Sequence, residues 1–346
     1  MNDSGLRDDL AKTIDRVIEA HCTKPVRESA DVGKWPAGLW GALEEVGLPL
    51  AALPESAGGS GLAFDDAMFA LRRTAYHGAP VPLAETMLAG RMLVAAGLKV
   101  PQGAMTVAPS SEGLKLAGGK LSGKSVRVPW GDQCGHVVVV ADAGGTEVLA
   151  LVSAEGASTG VEKNLAGEPR AALKFDGAQV IDSAPLEKAS FRLSAEGALY
   201  RSVQMAGALE RSLEYSLTYA NERVQFGRPI GKFQAIQHLL AVLAGHVAAS
   251  SAAADAAVEA SENGPDEFMV AVAKARIGEA AGKAAEIAHQ VHGAMGFTRE
   301  HNLHYVTRRL WSWRDEFGNE TYWQTRLGRR VASMGADALW PMLTGR

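Results

Sequence analysis

The segment Asn221-Glu222-Arg223-Val224-Gln225-Phe226-Gly227-Arg228-Pro229-Ile230-Gly231-Lys232-Phe233-Gln234 gathers arginine, two glutamines and an aromatic ring around one turn. A guanidinium suits a diphosphate, because its planar fork donates paired, charge-assisted hydrogen bonds. Glutamine can read a nucleotide edge, and phenylalanine can pack against a flat ring. A second stretch, Gln290-Val291-His292-Gly293-Ala294-Met295-Gly296-Phe297, places Gln290 about one turn ahead of Gly293. Glycine there lets backbone approach a ligand closely. The competing readings are plain: a solvated helix end in which Arg223 pairs with Glu222, and histidines that only pack. No Cys/His/carboxylate spacing suits a metal.

The elements that must hold these residues are mostly helical. Apolar periodicity predicts helices over Ala195–Val224, Phe233–Ser261, Pro265–Met295, Leu303–Glu316 and Thr321–Leu343, with Pro265 just inside its helix. Long helices with short connections imply a four-helix bundle plus a terminal helix. Ahead of it, short valine- and leucine-rich runs alternate with turn residues: Leu114–Ala117, Val126–Val128, His136–Ala141, Glu147–Val152 and Ala172–Phe175. These read as a small β-sandwich or barrel. Near the amino terminus Leu10, Ile14, Val17 and Ile18 recur at helical spacing, as do Leu39, Leu43 and Val46. The expected organisation is an N-terminal helical domain (1–103), a middle β domain (104–190) and a C-terminal helical bundle (191–346).

Bulk properties exclude several classes. The 346 residues are 47% hydrophobic and 21% charged, with a formal net charge of −4, so no broad basic surface is available for nucleic acid. Two distant cysteines, Cys22 and Cys134, form no secreted disulfide framework. The polar start of the chain is not a signal peptide, and no apolar run is long enough to be expected to span a bilayer. The cytoplasm is the expected compartment.

Together, Arg223-Val224-Gln225-Phe226-Gly227-Arg228-Pro229-Ile230 with Phe233-Gln234, and Gln290 to Phe297, resemble the signature motifs of the acyl-CoA dehydrogenase family. Leu53-Pro54-Glu55-Ser56-Ala57-Gly58-Gly59-Ser60-Gly61 resembles its Pro-Glu-Glu-x-Gly-Gly loop, and Pro80-Val81-Pro82-Leu83-Ala84-Glu85 fits as well. The resemblance implies a tetramer whose FAD lies across a subunit interface. By position, Arg223, Gln225, Phe226, Gln234, Gln290 and Gly293 form the cradle for the diphosphate and adenosine of a neighbour's FAD. It implies α,β-desaturation of an acyl-CoA thioester, in which a carboxylate removes the α-proton and the flavin takes the hydride. An electron-transfer flavoprotein is a possible acceptor.

The sequence departs from that pattern where the base should be. Counted without gaps, the base position falls on Phe317, with Glu316 one place earlier; the other position used by relatives falls on Gly197, beside Glu196. Glu316 is the first candidate base and Glu196 the second, each against the alternative of a solvated charge. The stretch Lys124-Ser125-Val126-Arg127-Val128-Pro129-Trp130-Gly131 lacks the Thr and Asn with which relatives support the flavin ring. Two further readings follow: a non-catalytic subunit that completes the FAD site of a longer companion in a heteromer of the steroid-degrading type, or a flavin-dependent oxidase or monooxygenase on the same scaffold.

Overall fold

A computed structural model describes residues 3–110 and 113–344. The chain opens with α1 (Asp3–His21), α2 (Lys24–Asp31), α3 (Ala37–Glu45), α4 (Phe64–Tyr76) and α5 (Leu83–Ala95). The periodic residues Ile14, Val17, Ile18, Leu39 and Leu43 are buried together in their core, while Val46 stays exposed. Pro36 stands as the N-cap of α3.

The middle strands are β1 (Met105–Val107), β2 (Lys115–Ala117), β3 (Lys120–Pro129), β4 (His136–Asp142), β5 (Glu147–Ser153), β6 (Ser158–Lys163) and β7 (Pro169–Pro185). Pairing runs β4-β2-β3-β7-β5 and returns from β5 to β4, which closes a barrel. β1 adds beside β4 and β6 beside β7. Inward residues Val137, Val139, Leu121, Ala150, Leu173 and Phe175 fill it. Strand β6 is exposed along its whole length, so it carries none of the apolar alternation that identifies a strand in sequence.

The rest is α6 (Ala189–Glu222), a short hairpin of β8 (Val224–Gln225) and β9 (Arg228–Pro229), then α7 (Gln234–Ala260), α8 (Glu267–His292), α9 (Leu303–Asp315), α10 (Glu320–Met334) and α11 (Ala336–Thr344). Helix α8 packs against α6, α7, α9 and α10. Its inner face is small: Ala273, Ala280, Ala281, Ala284, Ala285 and Ala288 are buried, which lets the backbones approach. The single helix expected over Thr321–Leu343 is two, because Gly335 takes a left-handed φ of 84° between them. Helix α7 is by length and composition apolar enough to cross a membrane, yet it packs against α6 and α8.

Candidate functional site

Arg223 leaves α6 in an extended conformation. Its N–H donates to the Tyr219 carbonyl (2.8 Å), and its own carbonyl accepts from the Ile230 N–H (2.8 Å). The intervening hairpin turns through Phe226 and Gly227, at φ 53° and 79°. Two successive positive φ values are the signature of a type I′ turn. Phe226 is 92% exposed there, although a bulky residue rarely tolerates that conformation. Its ring meets Phe233 edge-on at 6.1 Å, and the Arg228 guanidinium covers Phe233 at 4.3 Å. Gln234 begins α7.

The second motif reaches the same end of the bundle. Tyr219 stacks on His292 with ring centroids 4.6 Å apart, pinning the last turn of α6 to the last turn of α8. Arg223 follows one turn after Tyr219, and Gly293 directly follows His292. Arg223, Gln225, Phe226, Gln234, Gln290 and Gly293 are all exposed. Among the described residues no ion pair joins Arg223 to Glu222. His289, by contrast, is a packing residue, stacked between Phe297 (4.4 Å) and Trp311 (5.7 Å).

The region of the candidate base is arranged differently. After α9, Glu316 is extended, and Phe317 and Gly318 take left-handed φ values of 54° and 90°. Lys274 Nζ holds this turn by donating to the carbonyls of Arg314 (2.7 Å) and Gly318 (2.6 Å), and Trp323 Nε1 donates to the Phe317 carbonyl (3.0 Å). The turn lays the Phe317 ring on Gly197 of α6: a Cβ at 197 would sit 2.4 Å from Phe317 Cδ1. Between α5, α6 and this ring only about 10 Å³ remains, bordered by Leu88, Tyr200 and the buried pair Glu85–Arg201. That space is too small for an acyl chain.

Glu316 points away from that slot into a cluster of charge. Arg170 donates to its Oε1 from Nη2 and from Nε (3.0 Å), and Arg201 Nε donates to Oε2 (2.8 Å). Arg201 also binds Glu85 and Gln204, each at 2.5 Å. Arg170 and Arg309 face Glu168 at 3.1 and 3.2 Å. Three guanidiniums therefore meet three carboxylates, and the cluster ties α5, α6, β7 and α9 together. Burial by itself pushes the Glu316 carboxyl pKa up, but Arg170 and Arg201 outweigh it and hold the group below the ordinary glutamate value. Burial likewise opposes the charge of Glu168, yet Arg309, Arg170 and Arg201 bring it down to about 2. An α-proton base needs a carboxylate free to accept, whereas this one is saturated by two cations. Glu196 is no freer. It is 1% exposed and paired with Arg192 (2.8 Å) and Arg91 (3.1 Å).

Two expectations follow from this packing. Gly197→Ala forces a methyl into the Phe317 ring and should cost about 1–3 kcal/mol of stability, as overpacking does. Denaturant melts should show this cost largely relieved in the Gly197→Ala/Phe317→Ala double variant. The second concerns Lys274, whose pKa desolvation lowers to about 7. Between that value and the unfolded lysine value near ~10.4 the unfolded chain binds the extra proton, so stability should rise with pH across this window. Below pH 7 both states are protonated and the contribution is flat. Chemical melts from pH 7 to 10 should show a rise that Lys274→Met removes.

A cavity of about 430 Å³ lies between the barrel and α9, lined by Arg127, Pro129, Lys163, Arg170, Trp311 and Glu316 among others. Pro129 brings no N–H to it, and its carbonyl is taken by Thr106 Oγ1. Arg127 stands in left-handed backbone, φ 57°. Trp311, Phe317, Leu165, Pro109 and Pro129 give this cavity a mostly apolar exposed lining beside its charged side chains. Arg170, Arg201, Glu85 and Glu168 were not anticipated from sequence. Arg201 carried the one usable signal, a lone charge inside the apolar stretch Tyr200 to Leu209.

A helical domain, a closed barrel and a helical bundle with this exposed corner define an acyl-CoA dehydrogenase fold, and the chain belongs to the acyl-CoA dehydrogenase family. The family's N-terminal domain matches residues 7–99 and its C-terminal domain residues 195–331. The chain is similar to acyl-CoA dehydrogenase IpdE2 of Mycobacterium tuberculosis, at 30% identity over 87% of this chain and 89% of that protein. It superposes on the ChsE4–ChsE5 complex from Mycobacterium tuberculosis with a TM-score of 0.83, at 26% identity, covering 96% of this chain and 98% of the other. The Tcur3481–Tcur3483 steroid ACAD G363A variant gives a TM-score of 0.85 at 24% identity, covering 94% and 98%.

Proposed function

We propose that this chain is one half of a heteromeric acyl-CoA dehydrogenase, completing the FAD site of a companion chain rather than housing a reaction of its own. The observation that carries the reading is the Phe317 ring seated on Gly197, with Glu316 turned into the Arg170–Arg201 clamp. A thioester has no room in that slot, and no free carboxylate faces it.

What the chain offers outward is the corner at the end of the bundle. Arg223 would pair with the diphosphate, Gln225, Gln234 and Gln290 with polar edges of the nucleotide, and Phe226 with a flat face; Gly293 leaves the backbone approachable. These exposed donor types fit the adenosine half of FAD, whereas the stretch from Lys124 to Pro129 lacks the Thr and Asn of the family's ring seat. When bound, FAD supplies the hydride acceptor. This chain's part is to hold the far end of the cofactor and keep water from it while the companion provides base and acyl pocket.

An assembly also accounts for α7. Only 28% of its most apolar stretch is buried within the chain, which leaves an apolar face for a partner subunit. A tetramer with a longer companion in the cytoplasm is the assembly we favour, with an electron-transfer flavoprotein as electron acceptor. Two structural neighbours are themselves named as two-component complexes, one of them a steroid ACAD. On that basis the substrate class is an acyl-CoA with a bulky, ring-bearing acyl group. Turnover assays with a dye acceptor test this reading. The chain alone should be inactive toward acyl-CoA thioesters, and activity should appear on adding a companion that carries a free base. Activity of the isolated chain, abolished by Glu316→Gln, would overturn it.

A further inference from the structure

We propose a second anion site, distinct from the nucleotide corner, that takes a phosphate group carried as a phosphomonoester or as the free ion. It is an open cleft of about 380 Å³ bordered by α1, α2, α4, α6 and the start of α9. Four cationic side chains line it: Lys24, Arg27, Arg73 and Arg211. The carboxylates Glu19 and Glu214 line it too, and Asp15 takes up Arg73 at 2.6 and 2.7 Å. Four cations against three carboxylates leave one positive charge over.

Aromatic faces hold the guanidiniums in place in addition to the Arg73–Asp15 and Arg211–Glu214 ion pairs. Arg73 and Arg211 both lie against the Tyr76 ring, at 4.2 and 4.8 Å, and Arg211 also lies over Tyr215 at 4.3 Å. Arg27 is fixed by donating to the Gly78 carbonyl (2.8 Å) and sits over Tyr305 at 5.4 Å. Arg211 Nη1 is satisfied by Tyr76 and Glu214, but its Nε is buried without a hydrogen bond. A buried, unsatisfied guanidinium N–H costs free energy that an outside acceptor recovers. Lys24, at the rim, has no ion pair among the described residues.

Preformed planar donors converging from three helices match the several acceptor oxygens of a tetrahedral phosphate better than they match a single carboxylate. The cleft is larger than a lone phosphate needs, so a small organic body attached to it is accommodated. The site lies about three turns along α6 from Arg223, on the ~5.4 Å helical pitch, too far for one phosphate to engage both.

Titration calorimetry on the full-length chain tests this, with inorganic phosphate and ribose 5-phosphate as probes at constant ionic strength. Both should bind saturably at millimolar concentration or tighter. Arg211→Gln and Lys24→Glu should each weaken binding about tenfold or more, while Arg223→Ala leaves it unchanged. Ribose 5-phosphate binding about tenfold tighter than phosphate identifies the ester as the natural class; equal affinities identify the free ion. Absence of saturable binding, indifference to both substitutions, or loss with Arg223→Ala would each overturn the site. Lys24 is exposed, so its variant keeps the test open if Arg211→Gln fails to fold.

Discussion

Arg201→Met is expected to lower the stability of the chain by about 3–5 kcal/mol, the scale on which breaking a buried ion pair strands its partner. Arg201 is 2% exposed and faces Glu85 and Glu316 at once, so its loss leaves two inward carboxylates with one fewer cation. Against a typical total of about 5–15 kcal/mol, that is a large share of the stability of a chain this size. Guanidinium or urea melts give the number. The Glu85→Met/Arg201→Met pair should recover most of it, because removing both charges removes the uncompensated one, and the non-additivity measures the coupling. The same logic bears on Glu316. As an ion-pair anchor its replacement by glutamine weakens the fold and leaves turnover by the assembled enzyme within a few-fold; as a base its replacement would abolish turnover.

Arg223→Ala acts on a different property. The side chain is exposed and makes no hydrogen bond or ion pair among the described residues, so folding stability should hardly change, and the effect should fall on cofactor retention in the assembly. Losing one charge-assisted hydrogen bond to a diphosphate corresponds to about ten- to a hundredfold faster or weaker retention of FAD. Flavin absorbance of the complex after gel filtration, with and without added FAD, reads it directly. Full flavin occupancy after washing would show that this corner does not hold the cofactor.

The two halves of the site were unequally legible in the sequence. The corner is contiguous: Arg223 to Gln234 joins two helices and Gln290 to Gly293 closes a third, so the family resemblance points to it by position, where residue type alone leaves a solvated helix end as the rival reading. The helices around it were also readable, their ends falling within a few residues of Gly, Pro or cap positions, although α6 starts at Ala189, ahead of the expected Ala195. The closed slot was not readable. Whether Glu316 or Phe317 faces Gly197 depends on two successive left-handed residues after α9, and on Lys274 and Trp323 holding that turn from other helices. The charge cluster is harder still, since Glu85, Glu168, Arg170, Arg201, Arg309 and Glu316 come together only when four elements pack. Strand β6 escaped because its residues are all exposed, and α10 and α11 merged in the reading because Gly335 is a single glycine in an otherwise helical pattern.

The most direct measurement is the flavin content of the chain purified alone and in complex with its companion, from the visible spectrum and protein concentration. The chain alone should be colourless even with FAD supplied, and the complex should carry about one FAD for each pair of unlike chains. Near-stoichiometric flavin on the isolated chain, bleached by anaerobic addition of an acyl-CoA, would contradict a closed acyl slot and return Glu316 to the role of base.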